Sequence, residues 1–294
     1  MKTLTCLVCF FLLKTITFAQ IINTYHWKAT EYIIDESGNP VAGALAIIGY
    51  YTNSVSITTD GITGTNGLLE FQHDALSENA DVSFEAKKND FYSIWQQVYL
   101  HIPYDLTKWT IKKTLVLKRI GKPIAMYAKS NTSLRLPELN KAIGYDLMVG
   151  DWVGPYGKGI NVDLFFSQKH TTPDSGYIIT ASFPKQGDGI QEFTVPDAEK
   201  GSGLRSAHEA PIDGYQSEAS QTEMTNPNRN FYFRVRTKLD ENGNVVSTRY
   251  GKIYGDLAQF TYFLNPTPSD RNIEFDPKQN LLGGLQSFEQ VTAP

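Results

Sequence analysis

The stretch IGYDLMVGDWVGPYGKGINVDLFF, residues Ile143–Phe166, holds the densest set of glycine, aromatic and charged residues in the 294-residue chain. It runs into an apolar segment, so we expect it to form the entry corner of a β-rich domain. Trp152 and Tyr156, with Asp151 and Lys158 beside them, are candidate binding residues, because flat apolar faces with polar neighbours suit a sugar ring or a peptide backbone. The alternative is that Trp152 fills the end of a sandwich while the glycines turn corners.

Two segments farther along the chain form the clearest hairpin. Phe231–Leu239 alternates apolar and polar residues, a turn of Asp, Asn and Gly follows, and Val245–Tyr254 returns. Alternation places Arg234 and Arg236 on one face, where they could form a basic stripe that binds an acidic polymer. The alternative is that these cations pair with carboxylates on neighbouring strands. The return strand would add Arg249 and Lys252 to the stripe.

The region between Phe166 and this hairpin is less regular. Tyr177–Phe183 alternates like a strand that is buried on one or both faces, and Ala258–Leu264 is the last segment with a strand pattern. Pro184–Pro227 has few apolar residues and several glycines. A loop of that length is uncommon within a compact domain and is usually functional or mobile. We therefore expect a large β-sandwich or jelly-roll-like domain with a long irregular insertion.

Seven segments before residue 120 have strand patterns, with turn residues between them and no helical period. Short strands at this spacing indicate a β-sandwich. The segments are Lys28–Ile34, Val41–Ile48, Ser54–Thr59, Leu68–Phe71, Val82–Lys87, Ser93–Leu100 and Thr110–Lys118.

Three motifs in this region carry a resemblance. Gly38–Ala44 reads GNPVAGA, Thr63–Gly67 precedes an apolar and aromatic segment, and Leu115–Lys118 reads LVLK. In these motifs Lys28–Arg119 resembles the carboxypeptidase regulatory-like domain, a transthyretin-like sandwich of exported bacterial proteins. Such domains are usually accessory modules, so the resemblance implies a scaffold, a spacer or a binding surface. Leu136–Leu282 is similar to uncharacterised exported bacterial proteins, which implies one coherent domain but no chemistry.

The N-terminal segment has the features of a secretory signal peptide. Lys2 precedes the apolar run Leu4–Leu13, and Thr17 and Ala19 place small residues before a cleavage site at Gln20. The run is shorter than the ~20 residues that span a bilayer. Both cysteines lie within this segment, so the mature chain would have no disulfide and no thiol site. We expect a periplasmic or extracellular protein without a membrane span.

Several classes of partner and site are disfavoured by charge and motif. The net charge is −4 and no basic run is present, which argues against nucleic acid. Gly154–Gly159 differs from a phosphate loop because Gly159, and not Ser or Thr, follows Lys158. The five histidines lack metal-ligand spacing, and Gly201–Gly203 does not match a nucleophile elbow. The sequence predicts no cofactor, no metal and no catalytic residue.

We therefore expect an all-β protein with two domains. The preferred function is non-catalytic: an exported binding or structural protein that contacts a cell-surface or extracellular polymer, either polysaccharide or protein. The alternative is an exported carbohydrate-active hydrolase that uses two carboxylates of the second domain. The carboxylates available for that role are Asp146, Asp151, Asp163, Asp256, Asp270 and Glu274.

The predicted organisation follows from these patterns. Residues 1–19 form the signal peptide, 28–119 the first sandwich, 120–136 a linker, 137–282 the second domain and 283–294 a loose tail. The sequence does not predict the ligand or the oligomeric state.

Overall fold

A computed structural model of the chain describes residues 25–52, 55–75, 79–101, 108–131, 135–172, 175–222, 226 and 228–294. These residues form four β-sheets and two short 3-10 turns, and none of them belongs to an α-helix. The all-β prediction is confirmed. No helix within the described ranges is long and apolar enough to cross a membrane. The predicted signal peptide, with both cysteines, lies outside these ranges.

Seven strands form the first part of the molecule, and each overlaps one of the seven predicted segments. They pack as a three-stranded sheet of order β4-β1-β7 against a four-stranded sheet of order β3-β2-β5-β6. All pairs are antiparallel except β1 with β7. The strands are β1 (Tyr25–Asp35), β2 (Leu45–Tyr51), β3 (Ser56–Ile62), β4 (Leu68–Ala75), β5 (Asn79–Lys87), β6 (Ile94–His101) and β7 (Lys108–Leu117).

Alternation along β1 shows how the first core is built. Trp27, Ala29 and Ile33 are buried in the cluster that both sheets share. Glu31 lies between Ala29 and Ile33 in the same inward register, because residues two apart on a strand face the same side. Its side chain is fully buried, and neither carboxylate oxygen has a hydrogen-bond partner among the described residues.

Eleven strands form the second part. One sheet has the order β10-β9-β11-β12-β14, and the other has the order β13-β15-β16-β17-β8-β18. Turns of 3-10 geometry lie at Asp197–Glu199 and Ser287–Glu289. The strands are β8 (Ile124–Asn131), β9 (Ile143–Asp146), β10 (Asp151–Trp152), β11 (Leu164–Thr172), β12 (Ser175–Ser182), β13 (Gly189–Phe193), β14 (Glu218–Thr222), β15 (Asn230–Leu239), β16 (Val245–Gly255), β17 (Phe260–Leu264) and β18 (Phe275–Asn280).

The six-stranded sheet is buried on both faces. One face packs on the five-stranded sheet through a cluster that includes Phe166, Phe231 and Phe233. The opposite face carries Tyr232 and Phe263 in a second cluster, which is covered by the irregular segment after β13 and by the C-terminal segment. Aromatic residues on either side of β15 are therefore shielded from solvent, which explains why this strand is apolar at most positions.

At three places the structure is more regular than the sequence pattern indicates. The proposed linker 120–136 contains β8, which pairs with β17 and β18 inside the six-stranded sheet. The proposed loose tail 283–294 is held at Glu289, which forms an ion pair with Lys129, and at Val291, which packs on the core. The described part of Pro184–Pro227 contains β13 and β14, so it is not a structureless loop.

The segment after β13 also joins the two sandwiches. The Trp95 N–H donates to the Gly201 carbonyl, and the Gly203 N–H donates to the Ser93 carbonyl. Lys118 forms an ion pair of 2.6 Å with Glu199. The part of the chain that is least regular in sequence is therefore the part that contacts the first sandwich.

Candidate functional site

Trp152 is not the exposed platform that the sequence offered. Its ring lies edge-on to Tyr145, 5.2 Å between centroids, and edge-on to Phe166, at 6.0 Å. It packs against the buried cluster between the two large sheets. Trp152 is thus half-buried beside the core of the second sandwich, as the alternative interpretation of the sequence expects.

The glycine-rich loop beside Trp152 is held by Asp151. One carboxylate oxygen accepts from the Trp152 N–H at 2.8 Å, and the other accepts from the Lys158 N–H at 2.9 Å. A Cβ at Gly157 would stand 2.5 Å from the Trp152 carbonyl, so only glycine fits there. Asp151 thus shapes a turn, and the Lys158 side chain is left exposed in solvent.

Tyr156 contacts different residues from those that contact Trp152. Its hydroxyl donates to Glu138 and accepts from the Lys141 ammonium group at 2.8 Å. These contacts lower the pKa of Glu138 and raise the pKa of Lys141. The four residues proposed at this corner therefore have separate contacts. Trp152 packs on the core, Asp151 and Lys158 belong to a turn, and Tyr156 lies in a surface cluster.

Arg234 and Arg236 do not form a basic stripe. A β-bulge interrupts β15 after Val235, and Arg236 has a φ of +58°, which sends its guanidinium group toward the other sheet. Arg234 stays on the opposite side, where it donates to two backbone carbonyls and lies 4.8 Å over the Tyr215 ring. Of the two return-strand cations, Arg249 donates to the Pro266 carbonyl and Lys252 is fully buried.

Arg236 pairs with two carboxylates that the hydrolase alternative needed. Its Nε lies 2.7 Å from Asp163 Oδ1, and its Nη2 lies 2.9 Å from Asp146 Oδ1. Burial raises the pKa of Asp163 even against the attraction of Arg236. At Asp146 burial also acts to raise the pKa, but hydrogen bonds from the Asn161 and Ile160 N–H groups outweigh it and lower the pKa. This network ties the two sheets together.

The remaining candidate carboxylates also accept hydrogen bonds from backbone N–H groups. Asp256 accepts from the N–H groups of Asn226, Ala258 and Gln259, and Asp270 accepts from that of Asn272. Glu274 accepts from Gly121, Lys122 and the Tyr92 hydroxyl. Each of these carboxylates therefore accepts at least one hydrogen bond from the protein itself.

Ser206, Lys252 and Tyr254 form a contact set that the sequence did not reveal. The Ser206 hydroxyl lies 3.3 Å from Lys252 Nζ and 3.2 Å from the Tyr254 hydroxyl. Burial lowers the pKa of Lys252. A serine beside a lysine is a known nucleophile arrangement, but Ser206 and Lys252 are both fully buried. The set therefore anchors the covering segment to the sheet.

The exposed aromatic residues that lie on one open surface belong to the first sandwich. Trp95 is 50% exposed and Tyr99 is 67% exposed on the edge strand β6, and Tyr51 on β2 is 38% exposed. Cross-strand register puts Tyr51, Asp81 and Tyr99 directly opposite one another on adjacent strands. We call Tyr51, Trp95, Tyr99 and the side chains between them on this sheet surface the aromatic face.

The Tyr51 ring lies flat against the sheet. A Cβ built on Gly49 would meet the Tyr51 hydroxyl at 2.4 Å and Tyr51 Cε2 at 2.6 Å. The ring therefore covers the glycine two residues back on the same strand, and it turns one surface toward solvent. Ser83, opposite Gly49, is buried beneath it. Gly49 is required here for close approach, since any larger residue would lift the ring.

Polar side chains alternate with these rings. Asp81 separates the two tyrosines, and Glu85 lies opposite Trp95. Asn79 Oδ1 is 3.2 Å from the Tyr99 hydroxyl and 2.6 Å from His101 Nδ1. Four residues of strand separate Trp95 from Tyr99, about 13 Å, and two strand spacings separate Tyr51 from Tyr99, about 10 Å. The face thus offers flat apolar rings with hydrogen-bonding groups between them.

A signal for this face existed in the sequence. Trp95, Gln97, Tyr99 and His101 alternate with Gln96, Val98 and Leu100, so two aromatic residues share a side with polar ones. Which side points outward is fixed by the register with β5, which the sequence alone did not supply. Among the residues described, no group of three His, Cys, Asp or Glu side chains could hold a metal ion.

Comparisons with known proteins leave the chain without a family. No protein-family model matches it, and no curated protein matches it. A solved structure of chlorocatechol 1,2-dioxygenase from Pseudomonas putida has a TM-score of 0.27 at 12% identity and covers 33% of this chain, which spans 61% of the dioxygenase. A putative membrane-associated protein of unknown function from Bacteroides fragilis NCTC 9343 has a TM-score of 0.25 at 9% identity, with 83% of this chain and 99% of that one covered. Both TM-scores are too low to indicate a shared fold.

Proposed function

We propose that this protein is an exported, non-catalytic binding protein and that its aromatic face binds a polysaccharide. The observation that carries the proposal is the arrangement of Tyr51, Trp95 and Tyr99 on one sheet surface, with the Tyr51 ring held flat over Gly49. Export rests on the signal-peptide features of the N-terminal sequence.

A sugar polymer fits this face better than a protein partner does. Protein interfaces place their aromatic anchors in desolvated pockets, whereas these rings lie on an open sheet surface. Asp81, Glu85 and Asn79 lie between or beside the rings, where they can accept hydrogen bonds from hydroxyl groups. The acidic groups on the face favour a polymer that is neutral over one that is anionic.

The accessory role proposed for the first sandwich rests on the sequence resemblance of residues 28–119. Two sheets of three and four strands, with the first strand parallel to the last, are compatible with the proposed carboxypeptidase regulatory-like module. The hydrolase alternative has less support, because its six candidate carboxylates are engaged with backbone N–H groups or with Arg236.

The test is binding of the mature chain to a polysaccharide array, followed by affinity electrophoresis on the glycans that bind. Truncation of a central aromatic residue commonly costs more than ~1 kcal/mol of binding free energy, so we expect Trp95→Ala and Tyr99→Ala each to weaken binding about tenfold. Phe288→Ala is the matched control, since Phe288 is an exposed aromatic residue outside the aromatic face. Absence of glycan binding, or binding that both variants retain in full, would overturn the proposal.

Gly49→Ala tests the geometry of the face separately. The added methyl group would collide with the end of the Tyr51 side chain, so the ring should tilt while the strand stays paired. We expect weaker glycan binding with a nearly unchanged melting temperature. If binding is weakened only in proportion to a loss of folded protein, the flat ring has no part in recognition.

A further inference from the structure

Two cavities lie side by side on the outer surface of the six-stranded sheet. The larger is about 540 Å³ and the smaller about 300 Å³, and both are lined by Gly201 and Arg205. The C-terminal residues Gln290–Pro294 form one wall of the larger cavity. We call the two together the Arg205 cleft. Its larger cavity has the size of a small-ligand site.

The floor of the cleft is a row of polar side chains from four strands. Asn230 is opposite Tyr254, Tyr254 is opposite Thr261, and Thr261 is opposite Ser130. Directly opposed residues point to the same face of a sheet, and these four line the cleft. At one strand spacing per step the row is about 14 Å long. It presents the Asn230 amide, the Tyr254 ring and the hydroxyl groups of Thr261 and Ser130, while the Tyr254 hydroxyl is held by Arg205 and Ser206.

Arg205 supplies the positive charge. Its guanidinium carbon lies 5.3 Å from the centre of the Tyr254 ring, and it forms no ion pair with any other described residue. The one carboxylate in the lining of the larger cavity, Asp256, is buried and accepts from three backbone N–H groups. Arg205 therefore has no carboxylate partner within ion-pair distance among the described residues, and its guanidinium group can pair with an oxyanion by two parallel hydrogen bonds.

Two buried polar atoms in the lining have no hydrogen-bond partner within the described ranges. They are Ser202 Oγ, in a residue 4% exposed, and Asn230 Oδ1, in a residue 1% exposed. Ser202 lines the larger cavity and Asn230 the smaller. Buried polar atoms are nearly always hydrogen-bonded in folded proteins. Each cavity therefore has one polar group in its lining that a polar ligand beside Arg205 could satisfy.

We propose that the Arg205 cleft binds a sugar that bears an oxyanion, with the carboxylate or phosphate on Arg205 and the ring hydroxyls on the row from Asn230 to Ser130. The cation requires the negative charge, the hydroxyl and amide groups match the sugar hydroxyls, and the Tyr254 and Phe263 rings in the lining give the sugar ring an apolar surface. This site is independent of the aromatic face and stands even if the polysaccharide proposal fails.

Isothermal titration of the mature chain tests the proposal with four probes: glucuronate, glucose 6-phosphate, glucose and inorganic phosphate. We expect one of the two charged sugars to bind at least tenfold more tightly than either glucose or inorganic phosphate. The comparison of glucuronate with glucose 6-phosphate decides whether the oxyanion is a carboxylate or a phosphate. Equal affinity for glucose and the charged sugars, or binding of none of the four, overturns the proposal.

Two variants locate the site. Arg205→Gln should weaken binding of the charged sugar at least tenfold, and Arg135→Gln, an exposed arginine outside the cleft, should leave it unchanged. Ser202→Ala removes an unpartnered hydroxyl, so a purely structural role predicts equal or greater stability and unchanged affinity. If Ser202 binds the ligand, the Ser202→Ala variant should be at least as stable as the parent but should bind the charged sugar more weakly. Tyr99→Ala should not affect the titration, because Tyr99 lies on the aromatic face and lines neither cavity. Equal effects of Arg205→Gln and Arg135→Gln would contradict the assignment.

Discussion

At the scale of one residue, Glu31 shows how a single polar group can set the pH dependence of a sandwich. Burial, and to a lesser degree the nearby charge of Glu85, raise its pKa from 4.5 to about 9. The unfolded chain loses this proton near pH 4.5, whereas the folded chain keeps it to about pH 9. The contribution of Glu31 to folding stability is therefore fully present below pH 4.5 and is lost progressively as the pH rises toward 9. The sequence pattern predicted the strand but gave no reason to expect a carboxyl group inside it.

Glu31→Gln should remove this pH dependence. The amide cannot ionise, so the variant should be more stable than the parent by about 1–3 kcal/mol at pH 7, with a gain that grows up to pH 9. Urea unfolding at several pH values measures the difference. Glu70→Gln, an exposed residue of the same sandwich, is the control. Parallel stability curves for parent and Glu31→Gln would show that Glu31 does not hold its proton.

At the scale of an element, β15 shows what strand periodicity can and cannot predict. The alternation of Phe231, Phe233 and Val235 correctly predicted the strand and its inner face. It then placed Arg236 on the same side as Arg234, and this was wrong because a bulge with a left-handed arginine changes the register. A positive φ at arginine has no signature in the sequence. It is held in place by Asp188, which accepts from the N–H groups of Arg236 and Thr237.

Arg236→Met should destabilise the second sandwich strongly. The variant leaves Asp146 and Asp163 buried without their cation, and breaking a buried ion pair from one side typically costs about 3–5 kcal/mol. Thermal and urea unfolding measure the loss. Lys238→Met on the same strand is the matched control, since Lys238 is exposed and should change stability by less than ~0.5 kcal/mol. A loss no larger than that of the control would mean that the bulge does not depend on this network.

At the scale of the whole molecule, the two sandwiches meet through charged side chains. His208, on the segment after β13, lies 3.2 Å from Glu36 of the first sandwich and 3.0 Å from Glu274 of the second. Glu274, followed by Glu36, raises the pKa of His208 above 6.5. The protonated histidine therefore joins the two parts below that pKa, and this contribution disappears as the pH rises through it.

His208→Gln should weaken the junction at pH 6 and leave it nearly unchanged at pH 9. Limited proteolysis between the sandwiches and urea unfolding at the two pH values measure the effect. His170→Gln, a histidine of β11 for which no ion pair is described, is the control. An equal effect of His208→Gln at both pH values would show that the neutral ring, and not its charge, holds the junction.

The sequence predicted the strands of the first sandwich better than the binding surface. Strict alternation and turn residues are local, so all seven segments could be read directly from the chain. The choice between Trp152 and Trp95 was not local. Trp152 is covered because Tyr145 and Phe166 pack on it, and Trp95 is exposed because it is opposite Glu85 on an outer face. Strand β8 was missed because its neighbours β17 and β18 lie more than a hundred residues away in the sequence.

In both halves of the molecule the first strand pairs in parallel with the last. β1 pairs with β7, and β8 pairs with β18, so Ile124 meets Phe275. Pairing over such separations costs the entropy of closing a long loop before the paired residues can stabilise each other, and this slows folding. A chain that emerges from its N-terminus therefore cannot complete the first sandwich before β7 has appeared, nor the second before β18. The first sandwich has all of its strands once Leu117 has been made, whereas the second waits for Asn280, so the two halves complete their sheets at very different times during synthesis.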